Sequence, residues 1–136
     1  MSARSKARKR ALDVLFESEV RGLALDGTLE ERRQANEPPV NDYTVSLVQG
    51  VAEHRQKIDE LLTSYSEGWT LERMPSVDRN VLRIGVFEVL YVEDVPDAVA
   101  VTEAVDLVRD LSTDESPAFV NGVLGNIVRN KATIVA

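Results

Sequence analysis

The sequence predicts an all-α protein built as two packed helical bundles, about six to seven helices in all. Apolar residues recur at three- and four-residue spacing in several stretches, which is the helical period. No sustained alternating apolar and polar run of the strand type occurs. All five prolines fall outside the strongest helical patterns or at their edges. At 136 residues without a long low-complexity stretch, the chain fits one compact domain that can bury a core without disulfide or metal staples. Within it we expect an N-terminal subdomain over 1–68 and a C-terminal subdomain over 69–136.

The first helix is expected from about Ser5 to Arg21, where Ala7, Ala11, Val14, Leu15 and Ser18 make the apolar stripe and Gly22 ends it. Its first turns are basic, an unusual placement because cations at a helix N-terminus oppose the macrodipole by a few tenths to about 1 kcal/mol each. Thr28 and Glu31 form a capping-box pattern that predicts a short helix to about Gln34. The Asn36–Val40 turn, with its Pro38–Pro39 pair, closes that hairpin. From Asp42 to about Ser66, Tyr43, Leu47, Val51, Ile58, Leu61, Leu62 and Tyr65 predict one long half-buried helix.

A connector carrying Trp69 and Leu71 follows, and Ser76 is positioned to cap the next helix with Asp78 in its first turn. From Val77 to Leu90 apolar residues cover nearly every azimuth, which predicts a central helix surrounded by neighbours. After Asp94–Pro96, Val101, Ala104, Val105 and Val108 mark another helix, ending near Leu111. Ser116 and Pro117 supply a cap and a first-turn proline for a last one, whose stripe is Val120, Val123, Leu124, Ile127 and Val128. Gly85 and Gly122 fall inside helices, where glycine costs roughly 0.5–1 kcal/mol relative to alanine. Close helix crossing accounts for both; at Gly122 backbone approach to a ligand is the alternative.

Composition excludes whole classes of chemistry. There is no cysteine, hence no disulfide, thiolate metal site or cysteine nucleophile. The basic start has no apolar signal-peptide core behind it, and the apolar Val81–Val92 stretch is too short for a bilayer and contains Arg83 and Glu88. The expected location is the cytoplasm. His54 is the one histidine and sits between Glu53 and Arg55; a solvated helical position is its expected place, and it receives no role. Phosphate-loop, dinucleotide, zinc-protease and hydrolase-elbow motifs are all missing. Neither an enzyme nor a cofactor site is expected.

The charge distribution says more than its total of −7. Arg4, Lys6, Arg8, Lys9 and Arg10 put five positive charges into the first ten residues with no acid among them, which leaves a formal −12 on the rest. A cationic arm on an anionic body suits a polyanion-binding segment, while the acidic body discourages indiscriminate binding. A solvated terminal charge run is the plain alternative.

Four segments carry a resemblance. They are Arg4-Ser-Lys-Ala-Arg-Lys-Arg-Ala-Leu-Asp-Val-Leu-Phe, Val77-Asp-Arg-Asn-Val-Leu-Arg-Ile-Gly-Val-Phe-Glu-Val-Leu, Ala100-Val-Thr-Glu-Ala-Val-Asp-Leu and Ser116-Pro-Ala-Phe-Val-Asn-Gly-Val-Leu. In order and spacing they resemble the NusB family of transcription antitermination factors across nearly the whole chain. The resemblance implies two helical bundles and no chemical step. It also implies a partner, NusE, the small-subunit ribosomal protein that doubles as an antitermination factor. With it the family holds the single-stranded boxA segment of nascent ribosomal RNA and tethers it to elongating RNA polymerase. It implies RNA contacts at Arg4, Lys6, Arg8 and Lys9, with Arg10 adjacent, and at Phe119, Asn121 and Gly122. It places Glu88 near the RNA and NusE surface. Some family members form homodimers that cover the arginine-rich segment.

Physical chemistry permits these roles. Single-stranded RNA is held by phosphate neutralisation and by bases stacked on aromatic faces. Three to five phosphate contacts would give a log–log salt slope of roughly −2 to −3.5. Phe119 either offers such a face or joins the buried stripe that Val120 and Val123 begin. Trp69 and Tyr65 are read as core or connector anchors. Two competing readings stay open: an RNA-presenting domain related to that of ribosomal RNA methyltransferases, and a protein-binding module whose basic arm serves dimerisation.

Overall fold

A computed structural model describes residues 2–36 and 39–135. Its elements are α1 (Ala3–Arg21), α2 (Leu25–Ala35), α3 (Asp42–Glu53), α4 (Arg55–Tyr65), a 3-10 turn (Leu71–Arg73), α5 (Ser76–Tyr91), α6 (Asp97–Leu111), α7 (Ser116–Arg129) and α8 (Lys131–Ile134). No strand occurs among the described residues, so the all-α expectation holds. Two of the helices are additions to that expectation: one arises from a break at His54, the other is the short α8.

α1 forms where its stripe predicts. Ser2 caps it by accepting a hydrogen bond from the Ser5 amide at 3.0 Å, and Gly22 stops it in the left-handed region, at φ 66°. The start of α2 needs correction. The helix begins at Leu25 instead of after Thr28, and Thr28 is buried inside it, because Thr28 and Leu29 turn inward while Glu30 and Glu31 stay in water. Of the Asn36–Val40 turn, Glu37 and Pro38 lie outside the described residues.

The single long helix expected from Asp42 is two helices. Asn41 caps α3 through the Thr44 amide at 2.8 Å, and the helical conformation is interrupted at His54, with φ −103° and ψ 17°. The hydrogen-bond ladder is kept: His54 donates its N–H to the Gly50 carbonyl and accepts from the Ile58 N–H. The solvated position expected for His54 is also corrected. Its ring is half-buried and stacks on Tyr91 with centroids 3.9 Å apart. The approach of α3 to α5 is close here, because a Cβ on Gly50 would stand 2.1 Å from the Phe87 ring.

α5 is the axis of the molecule. Every residue from Val81 to Val89 is buried, since α1, α3, α4, α6 and α7 all pack on it. Gly85 is small because α7 crosses there: a Cβ would stand 2.7 Å from Leu124 Cδ1. The packing expectation fails for Gly122, where a Cβ would meet nothing within 4 Å. Two predicted caps are corrected as well. Ser76 makes no capping bond and turns its hydroxyl to Glu19 at 3.1 Å. Ser116 does not cap α7; its hydroxyl donates to the buried Asp78 carboxylate at 2.8 Å, which also accepts from Ser112 at 2.6 Å.

These contacts orient the bundle. α1 runs antiparallel to α5, with Arg8 beside Glu88 and Glu19 beside Arg79 and Asn80. Lys131, just after α7, pairs with Asp97 at the start of α6. One end of the molecule therefore gathers the start of α1, the end of α5 and the start of α6. The other gathers the end of α1, the start of α5 and the start of α7.

Candidate nucleic-acid interface

The basic opening of α1 divides into cations that face water and cations that hold the fold. Lys6 is exposed and makes no ion pair among the described residues. Lys9 is half-buried and pairs with Asp13 one turn on, at 2.6 Å; Arg10 is half-buried beside it. Arg4 reaches Asp94 at 2.9 Å and lies over the Tyr43 ring, 4.3 Å from its centroid. Asp94 is held below the usual carboxylate range by that hydrogen bond.

Arg8 and Glu88 do not stand where the resemblance puts them. Arg8 is 3% exposed and Glu88 1%, so neither presents a surface to a phosphate or a partner in this conformation. Arg8 Nε donates to both Glu88 oxygens, at 2.8 and 3.0 Å, and Nη1 lies 3.3 Å from Glu103 Oε1. The Tyr43 hydroxyl donates to the same Glu88 carboxylate, and Ser5 Oγ donates to Glu103 at 2.6 Å. The physical reason is position. Arg8 shares an azimuth with Leu12 and Leu15 on the inward face of α1, and a buried charge survives only when paired and hydrogen-bonded. Burial pulls the Arg8 guanidinium down, but the Glu88 hydrogen bond and charge more than offset it and leave it above its ordinary value. Burial, reinforced by the bond to Glu88, pushes the Tyr43 phenol well up.

The second predicted region lies elsewhere. Phe119, in the first turn of α7, is half-buried, whereas Asn121 and Gly122 are exposed. Phe119 meets Trp69 edge-on, with centroids 6.1 Å apart and planes at 62°. Of the two places read for Trp69, core or connector, it takes the connector, where it is 50% exposed. Together with Arg73, Met74, Asp78 and Ser116 the two rings line a groove of about 400 Å³. Sequence reasoning set Trp69 aside; its place next to Gly68, which has φ +77°, marked a turn where a large ring need not be inward.

The structure does not bring the two regions together. Asp78, at the Phe119 end, and Glu88, at the Arg8 end, are ten residues apart on α5, about 15 Å by the helical rise. No group of histidine and carboxylate side chains among the described residues could hold a metal ion. No described helix is long and apolar enough to cross a membrane.

The family model described as the NusB family matches residues 5–129. The chain belongs to the NusB family. Among its relatives, the transcription antitermination protein NusB of Nocardioides sp. is 67% identical over 134 residues, which is 98% of this chain and 99% of the relative. The NusB of Arthrobacter sp. is 58% identical over the full length of both chains. Among solved structures, T. maritima NusB superimposes with a TM-score of 0.81 at 33% identity, covering 94% of this chain and 92% of that one. A structure of antitermination factors NusB and NusE in complex with dsRNA matches at 0.81 and 28% identity over 93% of this chain and 96% of that chain. NusB proteins are transcription antitermination factors and not enzymes, and the same holds of this member of the family.

Proposed function

We propose that this protein, together with NusE, binds the boxA segment of nascent ribosomal RNA and tethers it to elongating RNA polymerase, in the cytoplasm and without a chemical step. The observation that carries the reading is the α1 ridge. Lys6, Lys9 and Arg10 sit on the first turns of a helix whose inward Arg8 is locked to Glu88. Lys6, Lys9 and Arg10 supply the phosphate contacts, and Arg8 and Glu88 hold the ridge in place. Arg4 joins them when its exposed pair with Asp94 opens, since such pairs contribute little. Phe119, Asn121 and Gly122 hold a later part of the strand.

The protein partner needs a surface of its own. Phe16 and Val20 on α1 and Leu23 just past its Gly22 cap are 41%, 69% and 41% exposed and lie on the chain beyond the ridge. We assign this apolar run to NusE; a second copy of the chain would compete for it.

The test is binding of a labelled boxA-like RNA with and without NusE at two salt concentrations. Affinity rises on adding NusE and falls in Lys6→Ala and in Phe119→Ala. With Arg8 buried, Lys6, Lys9 and Arg10 contribute about −2 to the log–log salt slope, and each further cation that meets a phosphate, Arg4 among them, adds about −0.7. Unchanged affinity in both variants removes the site, and no binding under any condition removes the reading.

A further inference from the structure

The groove at the start of α7 combines three features that the α1 ridge does not use. The first is open aromatic surface. Trp69 is 50% exposed, and an edge-on contact with Phe119 covers at most one face of one ring. The second is a bare cation. Arg73 lines the groove, is exposed and has no ion pair among the described residues, in a chain with 23 acidic side chains against 16 basic ones. The third is polarity of direction. Asp78 and Glu115 also line the groove and repel a phosphate, so a bound anion is drawn to the Arg73 rim. A ligand that fits all three has a flat ring to lie on the indole and a phosphate to meet the guanidinium. The volume of about 400 Å³ is at the scale of one small ligand, too small for a helix of a partner.

We propose that Trp69 and Arg73 form, with Phe119, a site for one unstacked nucleotide of a single-stranded RNA, its base on Trp69 and its phosphate at Arg73. The inference rests on the RNA reading above and adds two residues to it. Base stacking on an aromatic face is sequence-tolerant, because every base has a π-face. The site is an anchor and not a reader. A strand held at the α1 ridge reaches the groove over the outer surface of the bundle, spanning at least the about 15 Å of α5 between Glu88 and Asp78, which takes roughly four to five nucleotides or more at about 3.4 Å each.

Trp69 is the one tryptophan of the chain, so its fluorescence reports on the site directly. The experiment titrates the full chain, with NusE, with a labelled single-stranded boxA-like RNA. It follows RNA anisotropy and tryptophan emission together, with Trp69→Phe as the blank that cancels any tryptophan of NusE. The expected result is saturable quenching that tracks the anisotropy. Trp69→Ala weakens binding about tenfold, toward the lower end of the range for one lost stack. Trp69→Phe, which keeps a ring, stays within about threefold, and Arg73→Gln lowers the salt slope by about 0.7.

Emission that stays constant while the RNA saturates overturns the proposal. So does wild-type affinity in Trp69→Ala, or loss in Trp69→Phe equal to that in Trp69→Ala, which a merely structural ring would produce. Emission that responds to NusE alone and not to RNA marks a protein-docking groove and overturns it too. In each of these results the RNA is still bound, and the antitermination reading stands; absence of RNA binding by anisotropy removes both.

Discussion

Arg8 and Glu88, eighty positions apart in the chain, meet in a buried two-pronged ion pair in which Nε of the arginine bonds both oxygens of the glutamate. This pair fastens the first helix to the central one and closes a network with Tyr43, Ser5 and Glu103. Breaking such a pair from one side leaves an uncompensated buried charge, at a cost of about 3–5 kcal/mol. Arg8→Met is therefore expected to lose stability of that order in urea denaturation. The double variant Arg8→Met with Glu88→Leu recovers most of it, since two well-packed apolar residues carry no stranded charge. A double variant as unstable as the single one would show that the pair matters for something other than charge compensation.

Lys6 should behave in the opposite way. It is exposed and unpaired among the described residues, so Lys6→Ala changes stability by less than about 0.5 kcal/mol. Its RNA affinity falls nonetheless, and the salt slope drops by about 0.7. Comparing urea midpoints with RNA titrations at several salt concentrations separates the two lysine and arginine roles on adjacent turns.

The glycines give a paired prediction. Gly85→Ala drives a methyl group to 2.7 Å from Leu124 Cδ1, and overpacking of this kind costs typically 1–3 kcal/mol. Gly122→Ala meets open space, so the gain in helix propensity should stabilise the chain by about 0.5–1 kcal/mol. If Gly122→Ala is stabler yet binds RNA more weakly, the backbone at that position touches the strand. Thermal unfolding and RNA titration of the two variants settle both halves.

Tyr43 makes the fold sensitive to alkali. Its phenol is pushed up in the folded chain, first by burial and then by its bond to Glu88. In the window above the ordinary tyrosine value of about 10, the unfolded chain has released its proton and the folded one has not. The folded state then binds more protons, so stability falls as pH rises, by at most about 1.4 kcal/mol per pH unit for this one group. Below about pH 10 the contribution is fully present. Urea midpoints between pH 8 and 11 should show the decline in the wild type and a shallower one in Tyr43→Phe.

Much of the architecture was legible because amphipathic periodicity is a local property. The inward stripe of α1, the all-round burial of α5 and the stripe of α7 were all readable from residue spacing alone. Boundaries were less so. The α2 start was misplaced because Thr28 and Glu31 match a capping box although the packing of Leu25 and Leu29 begins the helix earlier. The break at His54 was invisible since no proline or glycine stands there; the stacking of its ring on Tyr91 accompanies the turn.

Sequence by itself determined the fold class, the family and the cationic start of the chain, because these follow from composition, spacing and order. Only the tertiary structure decided which of those cations face water. Arg8 lies at the helical azimuth of Leu12 and Leu15, yet a basic run invites the reading that all its members are solvated. Its burial is tolerable only because Glu88, Glu103 and Tyr43 converge on it from three other helices. The same convergence, acting at the far end of α5, set Trp69 beside Phe119 and left both rings partly open. Long-range pairing of charges and rings depends on where helices cross, and no local pattern encodes that.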